Sequence, residues 1–172
     1  AISPFNFTAL GVNLTAAPAL LGNTVIWKPS SSAVYSSYHL MRLFHEAGVP
    51  DGVINFVPGP ASQMGPVLLK HPELAGVHFT GSTEVFREIW KTVGTHIEGY
   101  RTYPRLVGET GGKDFIFAHP SADAQAVAVA MVRGAFEYQG QKCSAASRAY
   151  IPKSMWTSLK NLLLEMIGSI VR

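Results

Sequence analysis

The chain has 172 residues, of which 47% are hydrophobic, and this is enough to bury one or two compact cores. The formal net charge is only +3 and the basic residues are scattered, so the composition argues against a nucleic-acid-binding surface. A single cysteine excludes an internal disulfide and fits a reducing compartment, and the sequence has no run of about eighteen apolar residues that could span a membrane.

Both ends of the sequence suggest a piece of a longer protein. The chain starts at Ala1 without a methionine or a signal-peptide pattern, and Arg172 lies inside an amphipathic stretch that has no stop signal. We therefore expect a longer parent protein, with any targeting sequence and any further site residues outside the printed chain.

Short apolar runs alternate with helical patterns along the chain. Strands are predicted at 24–27, 53–57, 76–79, 105–108 and 115–117, and helices at 33–47, at 62–70 and after Ser82 to about Gly94. A further helix, capped by Ser121 or Asp123, precedes a last strand at 148–151. Such alternation requires right-handed crossovers, and it predicts an α/β fold with a Rossmann-like parallel sheet and helices on both faces.

Ligands of such sheets bind beyond the carboxyl ends of the strands, so the turns that follow strands are the candidate site. The turns that carry polar or glycine residues contain Asn6, Lys28, Gly81-Ser82 and Glu109. A domain junction is predicted just after Glu109, which divides the chain into residues 1–109 and 110–172.

Cys143, the only cysteine, lies in the polar segment Gly140-Gln141-Lys142-Cys143-Ser144. A lone cysteine is more often a small buried hydrophobe than a reactive group. Here the polar neighbours favour a loop, and the adjacent Lys142 would favour the thiolate, which is the reactive form. Both interpretations stay open on this segment alone.

Glu109 and Asn6 are each ambiguous by themselves. A carboxylate at a strand end is usually solvated, but one held at the edge of an apolar pocket has a raised pKa and can activate water as a general base. An asparagine in a turn usually caps its neighbours, but its amide can also donate to a developing oxyanion.

The segment Thr80-Gly81-Ser82 joins a predicted strand to a helix. Backbone N–H groups and a hydroxyl at a helix N-terminus can bind a pyrophosphate, although a plain serine N-cap is an equally good interpretation. The dinucleotide fingerprint G-x-G-x-x-G is absent after the first predicted strand. Lys28 ends that strand, and Pro29 would direct its side chain toward the same edge.

The order and spacing of these motifs resemble the aldehyde dehydrogenase superfamily. The segments that carry the resemblance are Pro4-Phe5-Asn6-Phe7, Trp27-Lys28-Pro29-Ser30, Phe79-Thr80-Gly81-Ser82, Glu109-Thr110-Gly111-Gly112-Lys113 and Gly140-Gln141-Lys142-Cys143. A finer similarity is to the subfamily that oxidises L-glutamate γ-semialdehyde, formed from 1-pyrroline-5-carboxylate, to L-glutamate in proline catabolism. The segments that carry it are Tyr103-Pro104-Arg105, Phe136-Glu137-Tyr138-Gln139 and Cys143-Ser144-Ala145-Ala146-Ser147-Arg148.

The resemblance implies a catalytic role for three residues. Cys143 would attack the aldehyde as thiolate, and Asn6 together with the Cys143 backbone N–H would hold the oxyanion of the thiohemiacetal. Glu109 would then activate the water that hydrolyses the thioester. The resemblance also implies that Phe7 packs on the aliphatic part of the substrate, and the chemistry of Lys142 and Ser144 suggests that they contact a substrate carboxylate.

The resemblance implies that residues 1–109 form a cofactor-binding domain and that residues 110–172 begin the catalytic domain. The residues it places at the cofactor are Ser3, Lys28, Ser31, Gly81, Ser82, Thr83, Glu84 and Val85. Ser3 would lie near the nicotinamide, Lys28 at the adenosine ribose, and Val85 against the adenine. Gly81 and Ser82 would contact the pyrophosphate.

Ser31 departs from the acidic residue that is common in members preferring NAD, and a serine cannot repel a 2′-phosphate. The choice between NAD and NADP is therefore open, and NAD is favoured because the subfamily that the chain resembles generally uses it. The resemblance further implies a small aldehyde as substrate, a homo-oligomeric parent, and a cytoplasmic location in bacteria or the mitochondrial matrix in eukaryotes. The family's downstream nicotinamide-ribose contact and substrate-anchoring loop are not in this chain, so the segment alone is not expected to catalyse the reaction.

Two alternatives remain from the sequence. Superfamily members that release an acyl-CoA lack the base that corresponds to Glu109, so the presence of Glu109 favours hydrolysis to a free acid. A non-catalytic cofactor-binding relative would have no physical need for Cys143, Glu109 and Asn6 together.

Overall fold

A computed structural model describes residues 1–170 of the chain, which divide into two compact units. The first unit comprises residues 1–110, and the second begins at Gly111. No helix within residues 1–170 is long and apolar enough to cross a bilayer.

The first unit is built on a parallel sheet. Its strands are β1 (Ile2–Ser3), β2 (Val25–Pro29), β3 (Ile54–Phe56), β4 (Gly76–Gly81) and β5 (Arg105–Thr110). Its helices are α1 (Thr8–Leu20), α2 (Val34–Glu46), α3 (Ala61–Leu68) and α4 (Thr83–Thr95), with short 3₁₀ helices at Ser31–Ala33 and Ile97–Gly99. Within residues 1–110, the sheet is five-stranded, with the order β3-β2-β1-β4-β5 and only parallel pairs.

Helices cover both faces of this sheet. On one face the buried Trp27 of β2 meets the ring of Phe44 in α2 edge-on, at a centroid distance of 6.5 Å. On the opposite face Phe79 of β4 stacks on Phe86 of α4 at 5.3 Å. His78, the neighbour of Phe79 in β4, contacts the carbonyl oxygen of Leu14 in α1. The predicted Rossmann-like α/β fold is therefore confirmed.

The sequence patterns missed the first two elements. β1 has only two residues, which is too short for an alternation to be recognised. α1 carries apolar or small residues on all sides and Pro18 in its last turn, so it lacks the one-sided pattern of a surface helix. Leu14 and Thr15 of α1 are buried, and Thr15 donates its hydroxyl to the Gly11 carbonyl at 2.7 Å.

The second unit contains a smaller parallel pair of strands. Its elements are β6 (Asp114–Phe117), α5 (Ala124–Phe136), a 3₁₀ helix at Glu137–Gly140, β7 (Ala146–Tyr150) and α6 (Lys153–Ser169). Asp123 caps α5, because its carboxylate accepts the Ala126 N–H at 2.7 Å, whereas Ser121 bonds to His119. Of the two predicted caps, Asp123 is therefore the correct one.

Candidate active site

The carboxyl edge of the five-stranded sheet contains a topological switch point. β1 and β4 are neighbours, but the chain leaves β1 for α1 on one face and leaves β4 for α4 on the other. A crevice forms where two such connections diverge, and it is the usual ligand site of parallel sheets. The turn after β1 contains Asn6, and β4 ends at Gly81, which Ser82 follows directly.

The turn after β1 is anchored by a buried hydrogen bond. The indole N–H of Trp27 donates to the Ser3 hydroxyl at 2.9 Å, and both side chains are buried. The Ser3 carbonyl accepts the Ser30 N–H at 3.0 Å, which ties the ends of β1 and β2 together. Asn6 follows, half-buried, and the exposed Phe7 precedes α1. Ser3 and Asn6 therefore belong to a fixed segment at the switch point.

The N-terminus of α4 faces the same crevice. Ser82 is the N-cap, and its hydroxyl accepts the Val85 N–H at 3.3 Å. The first intrahelical bond runs from the Phe86 N–H to the Ser82 carbonyl, so the amides of Thr83 and Glu84 precede it. These amides, together with the positive end of the helix dipole, suit an anionic group.

Gly81 is required by packing at the end of β4. A Cβ at this position would lie 2.7 Å from the ring of Phe79, a distance at which something must shift. The Phe79 ring therefore occupies the space that a larger side chain at residue 81 would need.

Lys28 lies inside β2, one residue before its end, and Ser31 lies two residues after it. Lys28 is half-buried, and its ammonium donates to the Pro29 carbonyl at 2.9 Å, so the side chain stays at the strand end. Ser31 is exposed at the start of the 3₁₀ helix. Both residues thus lie at the carboxyl edge that the sequence predicted.

Glu109 differs from its predicted place at the end of a strand. β5 is longer than expected, and Glu109 lies inside it, in register with Thr80 of β4. At Gly108, the residue before Glu109, a Cβ would point toward α4, since it would overlap the ring of Phe86. Side chains alternate along a strand, so Glu109 projects from the α1 face. The carboxylate is exposed within the described chain.

Cys143 lies in a turn of the second unit. The Ala145 N–H donates to the Lys142 carbonyl at 3.2 Å and closes the turn that contains Cys143 and Ser144. The Cys143 thiol is exposed, as its polar neighbours predict, and Ser144 is exposed as well. Gly112 packs so closely on this turn that a Cβ there would lie 1.8 Å from the Cys143 carbonyl oxygen.

Lys142 is engaged by a neighbouring carboxylate. Its ammonium lies 2.7 Å from Glu137, and Arg133 approaches the same carboxylate at 3.5 Å. The hydrogen bond and charge of Lys142, followed by the charge of Arg133, lower the pKa of Glu137 from its ordinary value. This pairing argues against Lys142 as a free cation for a substrate.

Two candidate positions were not singled out from the sequence. The turn after β3, Val57 to Pro60, lies at the same carboxyl edge, and the strand followed by Pro58-Gly59-Pro60 was the available signal. Glu137 belonged only to a similarity segment, because nothing in its local pattern indicates a partner five residues away. Among residues 1–170, no group of His, Cys, Asp or Glu side chains is arranged to hold a metal ion.

Comparison with known proteins identifies the family. The model of the aldehyde dehydrogenase family matches residues 1–171. The chain is 56% identical over 173 residues to a probable delta-1-pyrroline-5-carboxylate dehydrogenase of Schizosaccharomyces pombe, and 51% identical over 170 residues to the mitochondrial enzyme of that name from Bos taurus. Each alignment covers 99% of this chain, which spans about 30% of the length of these curated relatives.

Solved structures agree with these relatives. The delta-pyrroline-5-carboxylate dehydrogenase of Mycobacterium tuberculosis bound with NAD superposes with a TM-score of 0.94 at 54% identity, covering 98% of this chain and 31% of that one. An aldehyde dehydrogenase from Bacillus cereus in complex with NAD+ matches at 29% identity with a TM-score of 0.86, covering 99% and 34%. The chain therefore belongs to the aldehyde dehydrogenase family.

Proposed function

We propose that the full-length protein carrying this segment oxidises L-glutamate γ-semialdehyde, formed from 1-pyrroline-5-carboxylate, to L-glutamate with NAD. The observation that carries the proposal is the contrast in identity. The chain is 50–56% identical to the first curated relatives, all named delta-1-pyrroline-5-carboxylate dehydrogenases, but only 29% identical to the Bacillus cereus aldehyde dehydrogenase. This contrast favours the proline-catabolic branch of the family.

The carboxyl edge of the first unit fits a dinucleotide. The amides of Thr83 and Glu84 at the N-terminus of α4 offer hydrogen-bond donors to a pyrophosphate, and Gly81 and Ser82 directly precede them. Lys28, near the end of β2, and Ser31, just after β2, lie at the same edge, where they would meet the adenosine ribose, and the exposed Val85 would contact the adenine. Ser3 would lie near the nicotinamide. When bound, NAD supplies the hydride acceptor.

Residues 1–109 accordingly serve as the cofactor-binding part and residues 110–172 as the start of the catalytic part. The support for this division is that the residues assigned to the cofactor all lie in the first unit, whereas Cys143 lies in the second.

Three residues carry the chemistry of the proposal. The Cys143 thiolate attacks the aldehyde carbon and forms a thiohemiacetal, whose oxyanion accepts hydrogen bonds from the Asn6 amide and the Cys143 backbone N–H. Loss of a hydride from that carbon leaves a thioester on Cys143. Glu109 takes a proton from water, the water attacks the thioester, and the acid leaves as the thiol is restored. Exposure of the Cys143 thiol supports the first step.

The proposed substrate contacts are supported by the exposure of two side chains. Phe7 is 59% exposed beside the turn of Asn6, which suits packing on a short aliphatic chain. Ser144 is exposed next to Cys143 and can offer a hydroxyl to a carboxylate. Lys142 is the least supported of the three, because Glu137 already holds its ammonium.

A competition between two aldehydes tests the substrate. In the full-length protein, kcat/KM for glutamate γ-semialdehyde should exceed that for hexanal, and Cys143→Ala should abolish oxidation of both while NAD binding stays near wild type. Equal or better use of hexanal would refute the substrate and leave the family unchanged. Substantial turnover by Cys143→Ala would refute the mechanism.

The fate of the acyl group and the location of the parent are separate parts of the proposal. Glu109 favours release of a free acid, so product analysis with and without coenzyme A should give glutamate in both cases. Several eukaryotic relatives are named as mitochondrial, which supports the mitochondrial matrix for a eukaryotic parent. The cytoplasm of a bacterial parent follows from the family resemblance alone. A homo-oligomeric parent is checked by light scattering.

A further inference from the structure

The segment between α5 and the Cys143 turn has an unfavourable backbone. Tyr138 and Gln139 adopt left-handed conformations with φ of 52° and 57°, and Gly140 follows with φ of 70°. Residues other than glycine rarely occupy this region, because their Cβ approaches the backbone. Two such residues in succession persist only where surrounding interactions hold them.

Interactions at the two ends of this segment and inside it hold the backbone in this conformation. The Glu137 carboxylate and the Lys142 ammonium are 2.7 Å apart, and the left-handed residues lie between Glu137 and Lys142 in the chain. The Gln141 N–H donates to the Tyr138 carbonyl at 3.1 Å inside the segment. Arg133, one helical turn before Glu137, lies 3.5 Å from the same carboxylate and ties it to α5.

Lys142 is also the first residue of the turn that contains Cys143. Its carbonyl accepts the Ala145 N–H, so a shift of Lys142 moves the whole turn. A single carboxylate therefore connects α5 to the residue next to the nucleophile.

We propose that Glu137 is a positioning residue for Cys143: it holds Lys142, and through Lys142 it fixes the turn and limits the positive charge beside the thiol. The inference rests on the proposed role of Cys143 and extends it. The depressed pKa of Glu137 agrees with it, since the carboxylate stays charged next to two cations. Lys142 then serves the loop rather than the substrate.

Electrostatics gives the proposal a signature that a purely structural residue lacks. The charged side chains near the turn are Arg133, Glu137 and Lys142, while Lys113 and Asp114 follow the closely packed Gly112 and Arg148 belongs to β7. Removing the negative charge of Glu137 leaves the cation of Lys142 uncompensated next to Cys143. An uncompensated cation favours thiolate over thiol.

Alkylation of Cys143 by iodoacetamide tests this in the full-length protein, with the modified peptide quantified by mass spectrometry across a pH series. Glu137→Gln should move the midpoint of the pH–rate profile to lower pH, and the same substitution in a Lys142→Met background should not. Glu137→Asp should restore much of the wild-type profile. Glu46→Gln, which removes an exposed ion pair with Arg42 at 3.5 Å, is the matched control and should change nothing.

Steady-state kinetics supplies the second readout. Glu137→Gln should lower kcat about fivefold with little change in KM, because the nucleophile is misplaced while binding is retained. An unchanged alkylation profile, or an equal shift in both backgrounds, would overturn the proposal. A wild-type protein that is inactive on every aldehyde would refute the proposed function. Alkylation needs no aldehyde, so the pH profile of Cys143 alkylation would still test the positioning role of Glu137 in that case.

Discussion

Replacing Gly112 by alanine is expected to displace the Cys143 turn. The added Cβ would lie 1.8 Å from the Cys143 carbonyl oxygen and 2.6 Å from its carbonyl carbon, whereas real Cβ contacts are at least 3.0 Å. The oxygen must therefore move by about 1.2 Å, and both partners are backbone, so no side-chain rotation can relieve the overlap. Gly112 also has φ of 129°, a conformation that costs an alanine on the order of 1–3 kcal/mol.

The expected consequence is a large fall in kcat, because the substitution displaces the turn that carries the nucleophile. A misplacement of about 1 Å at reacting atoms can lower a rate roughly 100-fold, so kcat of the full-length protein should fall by about that factor. Single-turnover formation of NADH measures acylation directly, and thermal unfolding measures stability in the same samples.

Gly168→Ala is the matched control for this substitution. A Cβ at Gly168 meets nothing within 4 Å, and the residue lies in α6 of the same unit. The control should keep full activity, and its free energy of unfolding should rise by up to about 1 kcal/mol, since alanine is the better helix former. If Gly112→Ala kept kcat within about twofold of wild type, the close packing of Gly112 on the turn would have no catalytic importance, contrary to this reasoning.

Further predictions concern the first unit. Glu109→Gln should give a burst of NADH followed by slow steady-state turnover, because water activation is lost while acylation continues; equal slowing of both phases would assign Glu109 another role. Ser31→Glu should suppress use of NADP more than use of NAD, as a carboxylate repels a 2′-phosphate, and an unchanged NAD/NADP ratio of kcat/KM would place Ser31 away from the ribose. Trp27→Phe should destabilise the protein by about 2 kcal/mol in thermal or urea unfolding, because it leaves the buried Ser3 hydroxyl without its 2.9 Å donor and opens a small cavity; Trp156→Phe, at an exposed tryptophan of α6, is the control and should cost far less.

Much of the α/β architecture could be predicted from the sequence, because the signals involved are local. A strand of alternating or continuous apolar residues and an amphipathic helix each show their period within a short window, and the helix that follows Ala33 is a clear case, ended by Gly48 with φ of 84°. The same locality explains why Lys28 and Ser82 were placed at strand ends. Motif order then identified the family, which the comparisons confirm.

Tertiary structure alone decided the details that depend on residues far apart in the chain. α1 has no one-sided pattern, so its position follows only from burial of Leu14 and Thr15 against the sheet. The bond between Ser3 and Trp27 joins residues 24 positions apart, and Gly112 meets Cys143 across 31 positions. No local period encodes such pairings, since they arise when packing brings two segments together.

Charge partners were the other property that only the folded chain revealed. The sequence shows Lys142 beside the nucleophile and suggests a cation for the substrate, but the left-handed turn at Tyr138 and Gln139 brings Glu137 within 2.7 Å of it. The sequence similarly placed Glu109 just after a strand, whereas in the structure Glu109 lies inside β5, which pairs with β4 up to its last residue. Sequence therefore determined which chemical groups are available at the strand ends, while the fold determined which of them are already engaged, because an interaction energy depends on distance and not on residue type alone.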